Sequence, residues 1–410
     1  MQWRRWCAAW LLAAPMLAQA QPLTLQEALR LATEHSPALA MAEAQRQGAQ
    51  AAVKSAHAFQ NPELEVASGV SRSRQPGGAE GRNEMVGIAQ PIEFPSTRSA
   101  RQGVAAAGAE AGDAALEAAR LEQRAAVKQA YFDVLRRQEE AALAQENLAL
   151  LEQIRDRVKV KVSVGEAARY ELVKSEAETL AAESALQSAE VRVVQARDWL
   201  RALIGAPLDE HFEVAPEPLW PASLPALDEL RRDLLANQPR LKVGEAETRR
   251  AQARVEQERA ARLSQFTLKL SAERDPDMSQ WRVGIAVPLP LWDRRSGPIG
   301  EALSNQQRAE AEARHSQLGM LAELDRAYGR YSIARRQVET FEAGLLKEAE
   351  SAMNVAEAAY RYGERGIIDY LDAQRVWRAT RVDFLNARYE LQSAMIDIER
   401  LRALPVSGDS

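Results

Sequence analysis

The sequence predicts a mainly α-helical chain with a small β part: long coiled-coil helices written twice, plus four short strands able to face lipid. Three observations carry that reading. Residue patterns recur about 197 positions on, apolar residues recur every seventh position along proline-free stretches, and four short runs alternate apolar with polar residues. Composition agrees, since 46% of the 410 residues are hydrophobic and 27% charged but only 6% aromatic, as in long helices rather than a compact mixed core. The formal charge of −5 argues against a nucleic-acid binder held by phosphate neutralisation. One cysteine and four scattered histidines (His35, His57, His211, His315) make no Cys/His metal module. There is no phosphate-binding glycine loop and no Gly-x-Ser-x-Gly, so no enzyme and no cofactor is expected.

Residues 1–20 read as a secretory signal. Arg4 and Arg5 form the positive start, Trp6 to Leu17 the apolar stretch, and Ala18-Gln19-Ala20 a small-x-small cleavage site. The apolar run is short for a membrane anchor and Pro15 interrupts it. Cys7 lies inside this segment, so the mature chain has no cysteine, and losing Arg4 and Arg5 takes the charge from −5 to −7. No later stretch reaches eighteen consecutive apolar residues, so membrane passage would have to be made by strands.

The remainder is a duplication. Val86-Gly87-Ile88-Ala89-x-Pro91 returns as Val283-Gly284-Ile285-Ala286-x-Pro288, 197 positions on. Val162-Ser163-Val164-Gly165-Glu166 returns as Tyr360-Arg361-Tyr362-Gly363-Glu364 at an offset of 198, and Ser36-Pro37 as Gln238-Pro239 at 202. Similarity among Ala-rich helices does not predict shared offsets across strand, helix and turn. The first repeat is assigned to 21–205 and the second to 226–404, with a Pro-rich linker at 206–225 and a flexible tail at 405–410.

Each repeat follows one plan. The first opens with a helix from Thr24-x-x-Glu27, a capping box, to just before Asn61-Pro62. Strands at 63–72 and 83–94 follow, joined by a Gly/Pro/Arg-rich loop that includes Arg72, Arg74 and Arg82. A proline-free helix then runs over 98–164, about 100 Å at 1.5 Å per residue. Gly165 breaks it, and a return helix ends near 204. The second repeat has a helix over 226–264, strands 266–274 and 280–291, a helix over 298–362, a break at Gly363 and a helix over 367–403. Val127, Val134, Ala141 and Leu148 are spaced by seven, as are Leu324, Tyr331, Val338, Leu345, Ala352 and Ala359, which predicts knobs-into-holes packing in a left-handed supercoil.

The strands point to a compartment. Phe266, Leu268, Leu270 and Ala272 alternate with Thr267, Lys269, Ser271 and Glu273; Trp281, Val283, Ile285 and Val287 alternate with Arg282, Gly284, Ala286 and Pro288. Leu64, Val66 and Val70, then Val86, Ile88 and Ile92, do the same in the first repeat, with Gln90 an exception. Such runs suit tilted strands crossing a bilayer, with Phe94, Phe266, Trp281 and Trp292 near the interfaces. Four strands cannot close a barrel, and open edges are not tolerated in lipid. At least two chains must therefore combine, and three would form twelve strands around a lumen wide enough for solute.

At this point the residues match a known family. Leu23-Thr-Leu-Gln-Glu-Ala-Leu29, Asn61-Pro62-Glu63-Leu64, Gln90-Pro91-Ile92-Glu93, Pro288-Leu289-Pro290-Leu291 and Ile368-Asp369-Tyr370-Leu371-Asp372-Ala373-Gln374-Arg375 follow in order along the mature chain. They resemble the TolC family of outer-membrane efflux channels, and the Gln-Pro-Ile-Glu and Pro-Leu-Pro-Leu pieces look most like its heavy-metal (CzcC-type) branch. The resemblance implies a homotrimer, with a twelve-stranded β-barrel in the outer membrane of a Gram-negative bacterium on a long α-helical periplasmic tunnel. It implies a periplasmic adaptor (membrane fusion) protein and a proton-driven inner-membrane RND pump as partners, outer-membrane lipid around the barrel, and no nucleic acid. The channel itself is then a passive duct, and any choice among metals falls to pump or adaptor.

The resemblance also implies a gate at the periplasmic tips, which the sequence independently places at Gly165 and Gly363. Asp369 and Asp372 are three apart on one helix face and match the family's acidic constriction ring. Tyr360 and Arg365 match positions that lock the closed gate to an acidic residue, here Glu171 in place of Asp. Val164, Gly165, Gly363 and Glu364 match the adaptor-docking tips. From spacing alone, each of these gate and lock residues fits a solvated helix face better than a gate. Two other cargo readings, drugs or organic solutes and type I protein secretion, use the same duct. A secreted coiled-coil structural protein is the reading from a different class.

Overall fold

The computed structural model describes residues 22–72, 74, 76–210, 212–218, 224–263 and 265–405. The signal-sequence reading of 1–20 falls outside the described residues, as do residues 406–410 of the tail. In chain order the elements are α1 (Leu25–His35), α2 (Pro37–His57), β1 (Glu63–Ser71), β2 (Gly81–Glu93), α3 (Pro95–Ser163) and α4 (Arg169–Ile204). Then come α5 (Leu227–Asn237), α6 (Pro239–Ala260), β3 (Gln265–Arg274), β4 (Ser279–Ala286), α7 (Ser296–Thr340), α8 (Leu346–Arg361) and α9 (Ile367–Arg402).

The opening helix of each repeat is two helices, not one. Pro37 and Pro239 push Ser36 and Gln238 out of the helical region, to ψ values of 122° and 115°, and each proline then starts the next helix, where its missing N–H costs nothing. At the start of α1 only half of the capping box forms. Thr24 Oγ1 accepts from the Glu27 amide at 3.2 Å, while the Glu27 carboxylate turns to Arg30 at 2.5 Å.

The strands form one antiparallel sheet in the order β1-β2-β3-β4. Glu63 opposes Ala89, Val86 opposes Ala272 and Leu270 opposes Val283. β2 tolerates Pro91 near its end, but β4 stops at Ala286 rather than at 291. Pro288 and Pro290 have no N–H to donate, and among the described residues nothing pairs with that edge.

The stretch 206–225 is not a plain linker. Leu23 bridges Val214 in parallel, Leu23 N–H donates to Glu213 O at 2.7 Å, and Ala215 N–H donates to Leu23 O at 2.8 Å. The Tyr131 hydroxyl ties this bridge to α3 by donating to Leu23 O (3.0 Å) and Ala215 O (2.8 Å). Ala206, Phe212 and Val214 therefore belong to the core that also holds Tyr131, Leu200 and Ile204. Gly205 ends α4 with φ +74°, and a Cβ there would lie 2.7 Å from His35 O, so a side chain has no room.

The sevenfold seam holds through Leu324, Tyr331 and Val338 and then slips. Residues Phe341–Leu345 form a π turn in which Leu346 N–H reaches Phe341 O, five positions back, and Gly344 takes φ +157°. That turn inserts one residue. Leu345 and Ala352 are exposed, and the inward row becomes Ala349, Met353, Ala356 and Tyr360. The same insertion accounts for the step in repeat offset from 197 at mid-helix to 198 at the tip.

Candidate functional site

The sheet sorts its side chains by chemistry. Directly opposed residues share a face. One face carries Leu64, Ile88, Leu270 and Val283 in one row and Val66, Val86, Ala272 and Trp281 in the next. These large apolar side chains are all exposed, Trp281 by 75%, so no described helix covers them. Gln90, the exception on this face, donates to the backbone oxygens of Gln60 and Pro91, both at 2.9 Å, just before β1 begins. The other face carries Glu65, Ser271 and Arg282 in one row and Met85, Glu273 and Gln280 in the next. Its polar groups bond across strands: Arg282 to Glu273 at 3.1 Å, Gln280 to Glu273 at 3.0 Å and Asn83 to Asp275 at 2.7 Å. Apolar surface left in water costs roughly 25 cal/mol per Å², so a sheet with such a bare face is suited to lipid. Among the described residues no helix is long and apolar enough to cross a membrane.

The other end of the molecule is the pair of helical tips. α3 and α8 end in the same way. Glu166 N–H reaches Lys161 O at 2.9 Å and Gly165 N–H reaches Val162 O at 3.2 Å; Glu364 reaches Ala359 O at 2.9 Å and Gly363 reaches Tyr360 O at 3.2 Å. Both glycines are left-handed, at φ +79° and +76°, as this helix stop requires. Val164 and Tyr362 stand exposed beside them, as does Val160 one turn back. Val160 and Tyr362 were not singled out from sequence, because a lone apolar residue near a helix end carries no signal before its exposure is known.

Beneath the tips, α3, α4, α8 and α9 enclose Leu151, Ile154, Val158, Ala182, Tyr360, Ile367, Tyr370 and Leu371. The Tyr360 and Tyr370 rings stack with centroids 6.0 Å apart, and Lys161 Nζ lies 4.4 Å over the Tyr360 ring. Neither hydroxyl has a hydrogen-bond partner among the described residues. Burial raises the Tyr360 hydroxyl above its ordinary pKa, and the Glu171 carboxylate adds to this. Burial pushes Tyr370 up to about 12, with Glu357 adding to it. A buried amide pair, Gln374 donating to Asn147, joins α9 to α3 just above, and two polar residues on Ala-rich helices had not marked it in the sequence.

The predicted site residues therefore separate into two groups. Tyr360 is buried in the tip core and feels the charge of the half-buried Glu171. Asp369, Asp372 and Arg365 are exposed, with Arg365 3.7 Å from Asp369 and Arg375 3.8 Å from Asp372. Arg365 lies in the turn just before α9 and Arg375 on α9 itself, so each acid has a nearby cation. Arg375 also reaches across to Glu178 on α4 at 2.7 Å. No cluster of three or more His, Cys, Asp or Glu able to hold a metal occurs among the described residues.

Comparison with known proteins matches these features. The chain is 28% identical over 384 residues to the cobalt-zinc-cadmium resistance protein CzcC of Cupriavidus metallidurans, covering 93% of this chain and 90% of that protein. It is 27% identical over 303 residues to the nickel-cobalt-cadmium resistance protein NccC of Alcaligenes xylosoxydans xylosoxydans, covering 72% and 67%. Its fold superposes on the Campylobacter jejuni CmeC outer membrane channel with a TM-score of 0.78 at 19% identity, covering 94% of this chain and 87% of that one. The family described as outer membrane efflux protein matches residues 28–206 and 230–403, one stretch in each repeat, and the chain belongs to that family.

Proposed function

We propose that this protein is the outer-membrane duct of a tripartite efflux system, passing divalent heavy-metal cations from periplasm to exterior. The observation that carries the duct is the joining of a bare-faced, polar-backed four-stranded sheet to helices of about 100 Å. The sheet suits a lipid-bounded wall, and the helices suit the span of a periplasm. The metal cargo rests on likeness to CzcC, whose match runs over 93% of the chain. Three copies would close twelve strands and leave an aqueous lumen. A periplasmic adaptor and an inner-membrane RND pump complete the path, and energy comes from the pump.

In this reading the tips are the gate and the docking end. Asp369 and Asp372 would form an acidic ring, tempered by Arg365 and Arg375. The lock would run from Tyr360 and Arg365 to Glu171, and the charge of Glu171 near the Tyr360 hydroxyl supports it. Val164, Gly165, Gly363 and Glu364, with exposed Tyr362, offer the adaptor small and apolar surface at the extremity.

A deletion strain tested on zinc, cobalt, cadmium and nickel should become sensitive and recover with the gene in trans. Unchanged metal tolerance with accumulation of dyes or antibiotics would assign the duct to organic cargo instead. Recovery of the chain in the soluble fraction would refute the duct itself. In planar bilayers, Asp369→Asn with Asp372→Asn should lower cation preference; unchanged selectivity would remove both from the pore.

A further inference from the structure

We infer that the lipid-facing side of the sheet ends in a binding site for the phosphate of an outer-leaflet glycolipid, formed by Arg82 and Arg274 with Arg72 beside them. The inference rests on the sheet being a lipid-bounded wall, as in the reading above, and goes further by naming a ligand chemistry and its residues. The outward rows change character along the strands. The apolar rows of Leu64, Ile88, Leu270 and Val283, and of Val66, Val86, Ala272 and Trp281, are followed by Ser68, Glu84, Arg274 and Ser279, and then by Val70 and Arg82. Each row lies two residues, about 7 Å along the strand, beyond the last. Trp281 stands in the last apolar row, and an aromatic residue in that position marks the level of lipid headgroups. β2 runs from Gly81 to Glu93 and passes into α3. The helices therefore leave from the Glu93 end, and the arginines occupy the opposite end, on the exterior side.

The two faces differ at this height in how their charges are met. On the inward face the polar groups satisfy one another: Asn83 donates to Asp275 at 2.7 Å, and Glu273 accepts from Gln280 at 3.0 Å and pairs with Arg282 at 3.1 Å. On the outward face Arg82, Glu84 and Arg274 are exposed, and among the described residues none of their side chains has a hydrogen bond or an ion pair. Arg274 stands directly opposite Glu84 and still forms no ion pair with it. Arg72, the residue after β1, is exposed at the same end and adds a third cation. The charges left without a protein partner are thus on the side that faces lipid.

The chemistry fits a phosphate with acyl chains attached. Arg82 and Arg274 are diagonal neighbours across β2 and β3, which sets their Cβ atoms about 7–8 Å apart. At that spacing two guanidinium groups can close on one phosphate, each through paired N–H···O bonds. Glu84 repels an anion set low beside Arg274 and so directs the phosphate upward, between Arg274, Arg82 and Arg72. A cation is costly at mid-membrane and tolerated at the membrane edge, where its stem lies along apolar surface and its head reaches the headgroups. Continuity with the apolar rows decides the source of the phosphate. An acyl chain of the same molecule would lie on Val66, Val86 and Trp281, which are exposed directly beneath the arginines, and a soluble phosphate makes no use of that surface.

The test titrates bis-phosphorylated lipid A onto the purified protein in detergent and reads bound lipid by native mass spectrometry. Arg82→Gln with Arg274→Gln should weaken binding by roughly tenfold or more, the loss expected for two charge-assisted contacts. Lys269→Gln removes an exposed cation from the inward face and should change binding by less than about twofold. Lipid A stripped of its phosphates should bind the parent as weakly as intact lipid A binds the double variant. An unchanged double variant, or an equal loss in Lys269→Gln, would overturn the site. So would phosphatidylglycerol binding as tightly as lipid A, which would make this a general anionic-lipid surface, or displacement by millimolar inorganic phosphate, which would make the ligand a soluble anion. The double variant should keep the parent's single-channel conductance in planar bilayers, which shows that its barrel is intact. A parent that conducts but does not bind lipid A removes the site and leaves the duct standing; a parent that does neither removes both.

Discussion

Lys128 is the sharpest test of what holds the upper bundle together. Its ammonium is 1% exposed, between α3 and α9, and contacts both oxygens of Glu399 at 2.9 and 3.1 Å. Two ions taken from water carry a desolvation cost of several kcal/mol each, which their mutual attraction and close geometry must offset. Lys128→Met preserves the stem but leaves the Glu399 carboxylate facing Arg124 Nε at 4.0 Å, a distant guanidinium in place of a contacting ammonium. Stripping one partner from a buried pair costs about 3–5 kcal/mol, and the distant guanidinium places this case near about 3. If the pair is absent from the unfolding transition state, unfolding accelerates by roughly two orders of magnitude. Lys128→Met with Glu399→Met should return to within about 1 kcal/mol of the parent, because well-packed apolar residues replace a buried pair at little cost. The assay is the unfolding rate in detergent after a guanidinium jump, followed by the helical far-UV signal. A single variant that unfolds less than about threefold faster, or a double variant as fast as the sum of the singles, would refute the reasoning.

Three further outcomes follow from the same geometry. Deleting Gly344 should remove the inserted residue and leave an unbroken α-helix in which Ala349, Met353, Ala356 and position 360 still face inward, so a cysteine at 360 should stay shielded from a polar maleimide; labelling there would mean that the π turn does not absorb the extra residue. Gly205→Ala should cost more than about 2 kcal/mol, since the left-handed backbone and the 2.7 Å approach to His35 O both oppose a Cβ, whereas Gly165→Ala, with open space around it, should cost about 1 kcal/mol. Stability should fall as pH rises above about 10. The unfolded chain releases tyrosine protons there, while burial keeps Tyr370 protonated to about 12 and also raises Tyr131 and Tyr389. The folded pKa is the raised one, so the loss begins at the unfolded value and continues through the folded one. Tyr370→Phe should flatten that loss in alkaline melts, and an unchanged alkaline slope would count against its burial.

Much of this was legible because the governing signals are periodic and local. Alternation in Leu64–Val70 and Trp281–Ile285 needs no tertiary contact to declare a two-faced strand, and Gly165 and Gly363 declare helix stops by backbone sterics alone. Ser36-Pro37 and Gln238-Pro239 were visible as a repeat but not weighed as breaks, although proline's restriction on its predecessor is equally local. The heptad through Leu345, Ala352 and Ala359 misled because one inserted residue moves the inward row one position along the numbering, and nothing in the local pattern marks the insertion. Tyr360 and Asp369 looked alike as helix-face residues; only packing buries one under Lys161 and Tyr370 and leaves the other in solvent.

By itself the sequence determined the duplication, the two-faced strands and the placement of the tips, since each follows from period and backbone conformation within one segment. Tertiary structure alone decided that Leu23 and Val214 bridge, that Lys128 and Glu399 pair across 271 positions, and which equivalent faces of α4 and α9 are covered. Those depend on which distant surfaces meet, and burial between remote segments leaves no mark on either segment alone.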